Sequence, residues 1–177
     1  MKNYLVVTVT CPDRPGVVER ITSTLADFSA NWEESRMARL GGEFAGIAKI
    51  SVPEGNTDGL IQALQALSTD EMTVVVKTTD VTSPESPPGH KLFDLHLAGA
   101  DHEGIVHKVA AYLVDQGVNV ETMETEVVRA PITAAPLFQM SARIRVPDSL
   151  AIELFRQNLA EIGDELGVDI MVEDLND

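Results

Sequence analysis

The fold of this 177-residue chain is decided by the stretch CPDRPGVVERITSTLADFSAN, residues 11–31. Alternating apolar positions in residues 4–10, just before it, predict a strand. Asp13 can accept hydrogen bonds from the free N–H groups that open a helix, and Pro15 has its φ angle preset for a first turn. Apolar residues then recur at helical spacing in one stripe: Val17, Ile21, Leu25 and Phe28. The stretch therefore predicts a strand, a tight loop and a helix, with backbone donors exposed at the loop.

The same pattern occurs a second time, 88 residues further along the chain. Asp13 and Gly16 of the first loop correspond to Asp101 and Gly104 in GADHEG, residues 99–104. The apolar stripe, the strand before the loop and the asparagine after the helix repeat at the same offset. Three elements in one register indicate an internal repeat.

A hairpin, a second helix and a final strand complete the first copy. The turn signal Gly41-Gly42 separates two strand-like runs, residues 32–40 and 44–52. A β-branched run over residues 72–78 predicts the last strand. The helix between them carries a leucine stripe: Leu60, Leu64 and Leu67. The resulting order is βαββαβ, the ferredoxin-like pattern.

The second copy follows the same order, with a hairpin tip that is six residues longer, at residues 130–136. Its first helix is predicted over residues 105–116, and its second carries the stripe Ile152, Phe155, Leu159 and Ile162. Strands are predicted over residues 93–98, 119–128, 137–146 and 169–173. The predicted fold class is α+β, with two ferredoxin-like βαββαβ units, each an antiparallel sheet with two helices on one face.

Polar and glycine residues mark the helix ends. Asn56 or Thr57 is expected to cap the second helix, and Asp148 or Ser149 the fourth. Gly117 is placed to end the third helix.

Residues 81–90 are predicted to link the two copies. The segment contains SPESPPG, residues 83–89, and has no apolar periodicity, which is typical of a linker. The predicted domains are therefore residues 1–80 and 91–177.

The charge balance disfavours two classes of partner. Thirteen basic residues stand against 28 acidic ones, which gives a net charge of −15. Such a surface repels both the phosphate backbone of nucleic acids and anionic lipid headgroups. We therefore expect no direct nucleic-acid binding and no membrane association.

The cysteine count and the hydropathy indicate the compartment. Cys11 is the single cysteine, which permits no internal disulfide and indicates reducing surroundings. No apolar run approaches transmembrane length, and the apolar run near the N-terminus is shorter than a signal peptide needs. A cytoplasmic location is expected.

Asp13-Arg14-Pro15-Gly16 at the first strand–helix turn, with Asn31 after the helix, resembles the ACT domain. Two such units and little else resemble the glycine cleavage system transcriptional repressor family. The resemblance implies two ACT-type units that sense a small amino acid. It also implies repression through a protein partner, a separate DNA-binding activator, with glycine reversing the effect, so the chain needs no DNA-binding motif of its own.

The loop–helix junctions and the asparagines after the helices form the predicted ligand site. Helix N-termini present free N–H groups and partial positive charge, which suit a carboxylate. Asparagine offers both a donor and an acceptor, which suit a zwitterion. We expect glycine or serine to bind, with no cofactor and no metal, at one or both sets of residues: Asp13, Arg14, Pro15, Gly16, Val17, Asn31 and Trp32, and Asp101, His102, Glu103, Gly104, Ile105, Asn119 and Val120.

A purely structural explanation of these residues stays open. Asp13 and Asp101 can serve as helix caps, and the asparagines as turn formers. The second loop has His102 and Glu103 in place of arginine and proline, and the first copy lacks the glycine that often precedes Asn31 by two positions. Which repeat binds the ligand is therefore undecided by the sequence.

Other chemically active residues have simpler explanations. His102 and His107 are five positions apart and lie off one helical face, so surface residues are favoured over metal ligands. Cys11 is expected to be a buried or half-buried thiol at a strand end. Trp32 fits either the core or a partner contact. Three methionines are expected to fill the core: Met123, Met140 and Met171.

Three hypotheses follow. The first is an amino-acid-sensing regulator that acts through a protein partner, and the second is a structural dimerisation module without ligand. The third is an acylphosphatase-like enzyme, which requires a basic phosphate-binding loop. No nucleophile–base pair is apparent in the sequence, so an enzyme is disfavoured. Pairing between units, including a homodimer, is expected.

Overall fold

The computed structural model describes residues 1–80, 89–130 and 134–175. Contacts divide the chain into two compact units, Met1–Pro84 and Glu85–Asp177, which are described here one after the other. The predicted linker falls mostly on residues 81–88, which lie outside the described residues, as do residues 131–133 of the predicted hairpin tip.

The first unit is a four-stranded antiparallel sheet in the order β2-β3-β1-β4. Its elements in chain order are β1 (Lys2–Pro12), α1 (Val17–Asp27), β2 (Asn31–Leu40), β3 (Glu43–Pro53), a short 3-10 turn (Glu54–Asn56), α2 (Thr57–Gln65) and β4 (Thr73–Thr79). The predicted βαββαβ order is confirmed.

The second unit repeats this topology, with the strand order β6-β7-β5-β8. Its elements are β5 (His90–Ala100), α3 (Ile105–Asp115), β6 (Asn119–Arg129), β7 (Pro136–Pro147), α4 (Ile152–Leu166) and β8 (Val168–Asp174). The α+β class with two ferredoxin-like units is therefore confirmed.

Both helices of each unit pack on one face of its sheet. Alternate residues of the strands share a buried cluster with the helix stripes, so the core of each unit lies between its sheet and its two helices. The buried stripe residues of the helices are Val17, Ile21, Leu25, Leu60 and Leu64 in the first unit, and Ile105, Val109, Leu113, Phe155 and Leu159 in the second. The predicted stripes are confirmed at these positions, and Phe28 lies partly buried at the edge of the first cluster.

The expected side-chain N-caps of α2 and α4 are not formed, whereas Gly117 follows the end of α3 as expected. Helix α4 begins at Ile152 with Ala151 at the N-cap position, so Asp148 and Ser149 lie too early in the chain to cap it. Asn56 occupies the N-cap position of α2, but its side chain makes no cap bond there. Its amide instead donates to the carbonyl oxygen of Phe28 at 2.9 Å, which joins α2 to the end of α1.

Two of the three methionines predicted to fill the core are exposed. Met140 is buried, but Met123 is 49% exposed and Met171 is 58% exposed. Met123 lies on the edge strand β6, where side chains have a neighbouring strand on one side only. Met171 is opposite His96 on the sheet face away from the helices, whereas its neighbours Ile170 and Val172 pack on the core.

The ends of α1 and α3 share one backbone motif. Ala30 N–H donates to Leu25 O and Ser29 N–H to Ala26 O, the two bonds of a Schellman motif. The motif needs a left-handed residue, which is Gly117 (φ 68°) after α3 but Ser29 (φ 54°) after α1. Ser29 therefore holds a backbone conformation that costs a non-glycine residue energy.

We expect Ser29→Gly to stabilise the chain by about 0.5–1 kcal/mol, since relief of the left-handed strain exceeds the entropy that glycine adds to the unfolded state. Gly117→Ser, the reciprocal change at the matched position, should destabilise by a similar amount. Urea unfolding measures both. Destabilisation by Ser29→Gly would contradict the assignment.

Truncation of the stripe should be costly in both units. Leu25→Ala and Leu113→Ala each leave a cavity in a packed core, so we expect a loss of about 2–5 kcal/mol in the free energy of unfolding. Leu40→Ala is the control, because Leu40 is 83% exposed and its truncation should change stability little. A loss well below about 1 kcal/mol at either buried leucine would show that the register is wrong.

Candidate functional site

The two predicted loops have the same backbone geometry. Asp13 N–H donates to Gly42 O at 2.9 Å, and Gly16 at φ 97° takes the N-cap position of α1. In the second unit Asp101 N–H donates to Pro136 O at 3.2 Å, and Gly104 at φ 91° takes the same position on α3. A Cβ at either glycine would meet no atom within 4 Å, so the left-handed angle alone requires glycine there.

The side chain of Asp13 does not cap the helix. Its Oδ2 atom lies 2.7 Å from Arg39 Nε, and this ion pair joins the loop to β2. Within residues 1–80, 89–130 and 134–175, no side chain caps the first turn of α1 or α3. The first N–H groups of both helices are therefore left without a side-chain acceptor at an exposed loop.

The residue after the aspartate of each loop, Arg14 or His102, ties that loop to the segment before the last strand of its unit. Arg14 Nη1 donates to Glu71 Oε2 at 2.8 Å, and both side chains are largely exposed. His102, at the matched position, lies 2.7 Å from the carbonyl oxygen of Leu166 through Nε2 and 2.9 Å from that of Glu103 through Nδ1. These two backbone hydrogen bonds raise the pKa of His102, that to Leu166 more than that to Glu103.

The remaining loop residues differ in burial. Pro15 and Glu103 are exposed, as are both N-cap glycines, and are open to an approaching ligand. Val17 and Ile105 point into the cores, so they contribute backbone N–H groups rather than side-chain contacts.

The two asparagines hold a glutamate that the sequence reasoning missed. Asn31 Nδ2 donates to Glu33 Oε1 at 3.1 Å, and Asn119 Nδ2 donates to Glu121 Oε1 at the same distance. Each glutamate sits where the register of its strand shifts, so the amide ties down an edge-strand irregularity. The repeated spacing Asn-x-Glu was the signal that could have revealed the pair.

Each of these glutamates has a second partner, and that partner differs between the units. The Ser51 hydroxyl donates to the Glu33 carboxylate, whereas in the second unit Arg145 Nη2 forms an ion pair with Glu121 Oε1 at 2.9 Å. Hydrogen bonds from Ser51, and then from Asn31, hold the pKa of Glu33 below its ordinary value. The asparagine amides are therefore already engaged within their own strands.

The structure does not bring a loop and the asparagine of the same unit together. Asn31 pairs with Ser51, which pairs with Tyr4, eight residues before the end of β1 at Pro12. Eight strand residues span roughly 26 Å. Helix α1, with 11 residues between the loop and Asn31, rises roughly 16 Å. A glycine or serine cannot contact both within one unit.

The residues that follow the asparagines have different surroundings. Trp32 is partly buried against the core of the first unit, which favours the core explanation. Val120, at the matched position, is 39% exposed on the edge strand β6.

Cys11 is buried at the end of β1, as expected, and burial raises the pKa of its thiol. In the described part of the chain, no group of three or more His, Cys, Asp or Glu side chains is arranged to hold a metal ion. Among the described helices, none has the length and apolar content needed to cross a membrane.

The fold and the paired loops define the class of this protein. The family model of the ACT domain matches residues 3–77, which span nearly all of the first unit from β1 to β4. The second unit has the same element order, strand order and loop geometry, so the chain consists of two ACT-like units in tandem.

Within that class the chain resembles glycine cleavage system transcriptional repressors. It is 29% identical to the repressor from Escherichia coli K12 over 119 residues, which are 67% of this chain and 62% of the relative. The match thus spans less than two thirds of the relative's length. A crystal structure of a candidate glycine cleavage system transcriptional repressor, at 18% identity and TM-score 0.65 over 98% of this chain and 97% of that one, shares the fold.

A second solved structure matches both units at a higher sequence identity. The crystal structure of an unknown protein from Galdieria sulphuraria is 32% identical to this chain and has a TM-score of 0.85. It covers 99% of both chains, so the similarity extends over both units.

We expect Glu33→Gln to reduce the acid sensitivity of the chain. Because the folded pKa of Glu33 is depressed, its stabilisation is present above the ordinary value of 4.5 and is lost as the pH falls through the lower folded value. Measured by urea unfolding between about pH 6 and about pH 3, the free energy of unfolding should fall more steeply with decreasing pH in the parent than in the variant. Ser51→Ala, which removes the donor, should flatten the profile in the same way, and equal slopes in all three chains would contradict the assignment.

Proposed function

We propose that this chain is an amino-acid-sensing regulator and not an enzyme, acting through a protein partner. The observation that carries the proposal is the duplicated loop, in which a left-handed glycine opens an 11-residue helix whose first turn lacks a side-chain cap. Exposed backbone donors at such a position suit a carboxylate. The resemblance to glycine cleavage repressors supports the regulatory part of the proposal.

The second loop is the better candidate for a zwitterion. In the first loop both charged side chains are committed, Asp13 to Arg39 and Arg14 to Glu71. In the second loop, Asp101 is exposed, and its carboxylate has no hydrogen-bond or ion-pair partner within residues 1–80, 89–130 and 134–175. We therefore propose that the ligand's carboxylate meets the N–H groups of α3 and that its ammonium meets Asp101.

Size limits the affinity of the proposed ligand. The best small ligands gain about −1.5 kcal/mol per non-hydrogen atom, which sets a ceiling of about −7.5 kcal/mol for glycine. That ceiling corresponds to a Kd in the low micromolar range, and serine, with more polar atoms, gains further hydrogen bonds. Such binding suits a sensor that follows metabolite concentration.

A protein, rather than DNA, is the proposed target of the regulator. The net charge of −15 opposes the phosphate backbone, so direct DNA recognition is disfavoured. The same charge favours a basic partner surface, which a DNA-binding activator commonly carries. Association into a homodimer in the cytoplasm is part of this proposal.

The acylphosphatase alternative loses its main support. It needs a free loop cation for the phosphate, yet Arg14 donates to Glu71 at 2.8 Å. The ligand-free dimerisation module is separated from the sensor by the following measurement.

Calorimetry and thermal melting with each common amino acid at millimolar concentration test the proposal. We expect glycine or serine to release heat and raise the melting temperature. Asp101→Asn should weaken binding at least tenfold, because it removes the charge that meets the ammonium. Asp13→Asn is the matched control in the first loop and should leave binding unchanged.

Two further variants test the asparagines. Asn119→Ala should leave binding at the second loop unchanged, because a glycine or serine bound there does not reach this amide, and Asn31→Ala is its matched control. Absence of heat and of a melting shift with every amino acid would contradict amino-acid sensing and favour the dimerisation module.

A further inference from the structure

The hydrogen bonds of His102 define its protonation state. Nδ1 lies 2.9 Å from the carbonyl oxygen of Glu103, and Nε2 lies 2.7 Å from that of Leu166. Carbonyl oxygens only accept hydrogen bonds, so each ring nitrogen must donate. A neutral imidazole carries a proton on one nitrogen, and only the imidazolium carries a proton on both. The observed pair of contacts is therefore complete only when His102 is charged.

The contact with Leu166 joins two separate parts of the second unit. Leu166 is the last residue of α4, where backbone carbonyls lack helical partners and carry partial negative charge. Gly167 follows at φ 64° and ends the helix. A positively charged ring at this position is favoured, and it connects the loop at residues 101–104 to the end of α4, 64 positions further on.

The first unit has a tether at the equivalent place, built from different chemistry. Arg14 is 88 residues before His102 and occupies the same loop position. Its guanidinium donates to Glu71, which precedes β4 just as Leu166 precedes β8. Arginine stays charged at every physiological pH, whereas histidine changes charge near neutrality.

We propose that His102 is a pH-sensitive clasp that fastens the second loop to the end of α4. The charged ring holds both carbonyls, and loss of its proton removes one of the two hydrogen bonds and frees residues 101–104 to move. The tether at Arg14 keeps its charge, so only the second loop responds to pH near neutrality. The clasp is independent of whether the loop binds an amino acid.

Charged groups around the ring favour its protonated form. After the backbone hydrogen bonds to Leu166 and Glu103, the charge of Asp101 on the same loop also raises the pKa of His102. On the neighbouring helices, Lys108 of α3 pairs with Glu165 of α4, and Asp164 adds a negative charge on the last turn of α4. The Lys108 charge is therefore offset by its partner.

The direction of the pH effect follows from linkage. The hydrogen bonds to Leu166 and Glu103 raise the pKa of His102 above its ordinary value of 6.5, although partial desolvation opposes them. A raised folded pKa gives a stabilisation that is complete below the unfolded value and is lost as the pH rises through the folded value. The clasp is therefore closed in mildly acidic solution and opens on the alkaline side of 6.5.

Nuclear magnetic resonance of the intact chain measures the clasp directly. The ¹⁵N shifts of the His102 ring, followed by titration, should show both nitrogens protonated up to a pH above the midpoint of the same histidine in the urea-denatured chain. Amide exchange in residues 101–104 should accelerate through the same pH range. A His102 midpoint at or below the denatured value would overturn the proposal.

Variants provide a second, independent test. His102→Arg copies the tether of the first unit and should flatten the decline in the urea midpoint between about pH 6 and about pH 9 relative to the parent. His102→Gln should be less stable than the parent at the lower pH and converge with it at the higher. His107→Gln, a histidine variant on α3, should keep the parent profile. Identical profiles for the parent and His102→Arg would overturn the clasp, and the titration of the parent chain decides if a variant does not fold.

Discussion

In each unit a central strand is hydrogen-bonded on both sides while one of its faces packs against two helices. Strand β1 pairs with β3 and β4, and β5 pairs with β7 and β8. The inward side chains of these strands are almost completely buried, for example Leu5 and Leu95. Since period-two alternation permits no slip by one residue without exposing this face, the register of the whole sheet is fixed by this contact.

The position of each loop is a consequence of that packing. The central strand ends at the edge of the core, and the helix must return across the same face to bury its stripe. The chain reverses at a glycine with φ near 90°, which leaves the first N–H groups of the helix exposed at the turn. The exposed donors on which the proposed function depends are thus produced by the same constraint that builds the core.

The two units keep this backbone and differ in the side chains that secure it. The left-handed residue that follows the first helix of each unit is serine after α1 and glycine after α3. The edge-strand glutamate is held by a hydroxyl in one and by a guanidinium in the other. The loop tether is arginine in one and histidine in the other. Such exchanges preserve geometry while they change charge, and they give two similar loops different electrostatics.

Much of this protein was determined by the sequence alone. The repeat, the element order and the buried positions at Ile21 and Val109 follow from local periodicity, because apolar spacing records which face of an element is buried. Burial of Met123 was predicted wrongly, since local spacing does not reveal that β6 is an edge strand.

Only the tertiary structure decided which polar groups meet. The ion pair between Asp13 and Arg39 and the contact of His102 with Leu166 join residues that are far apart in the sequence. The distance between a loop and the asparagine of its own unit was likewise invisible to motif spacing, because the helix between them separates its two ends. Partners of polar side chains depend on how helices and strands return across one another, and that path is set by the packing of the whole core.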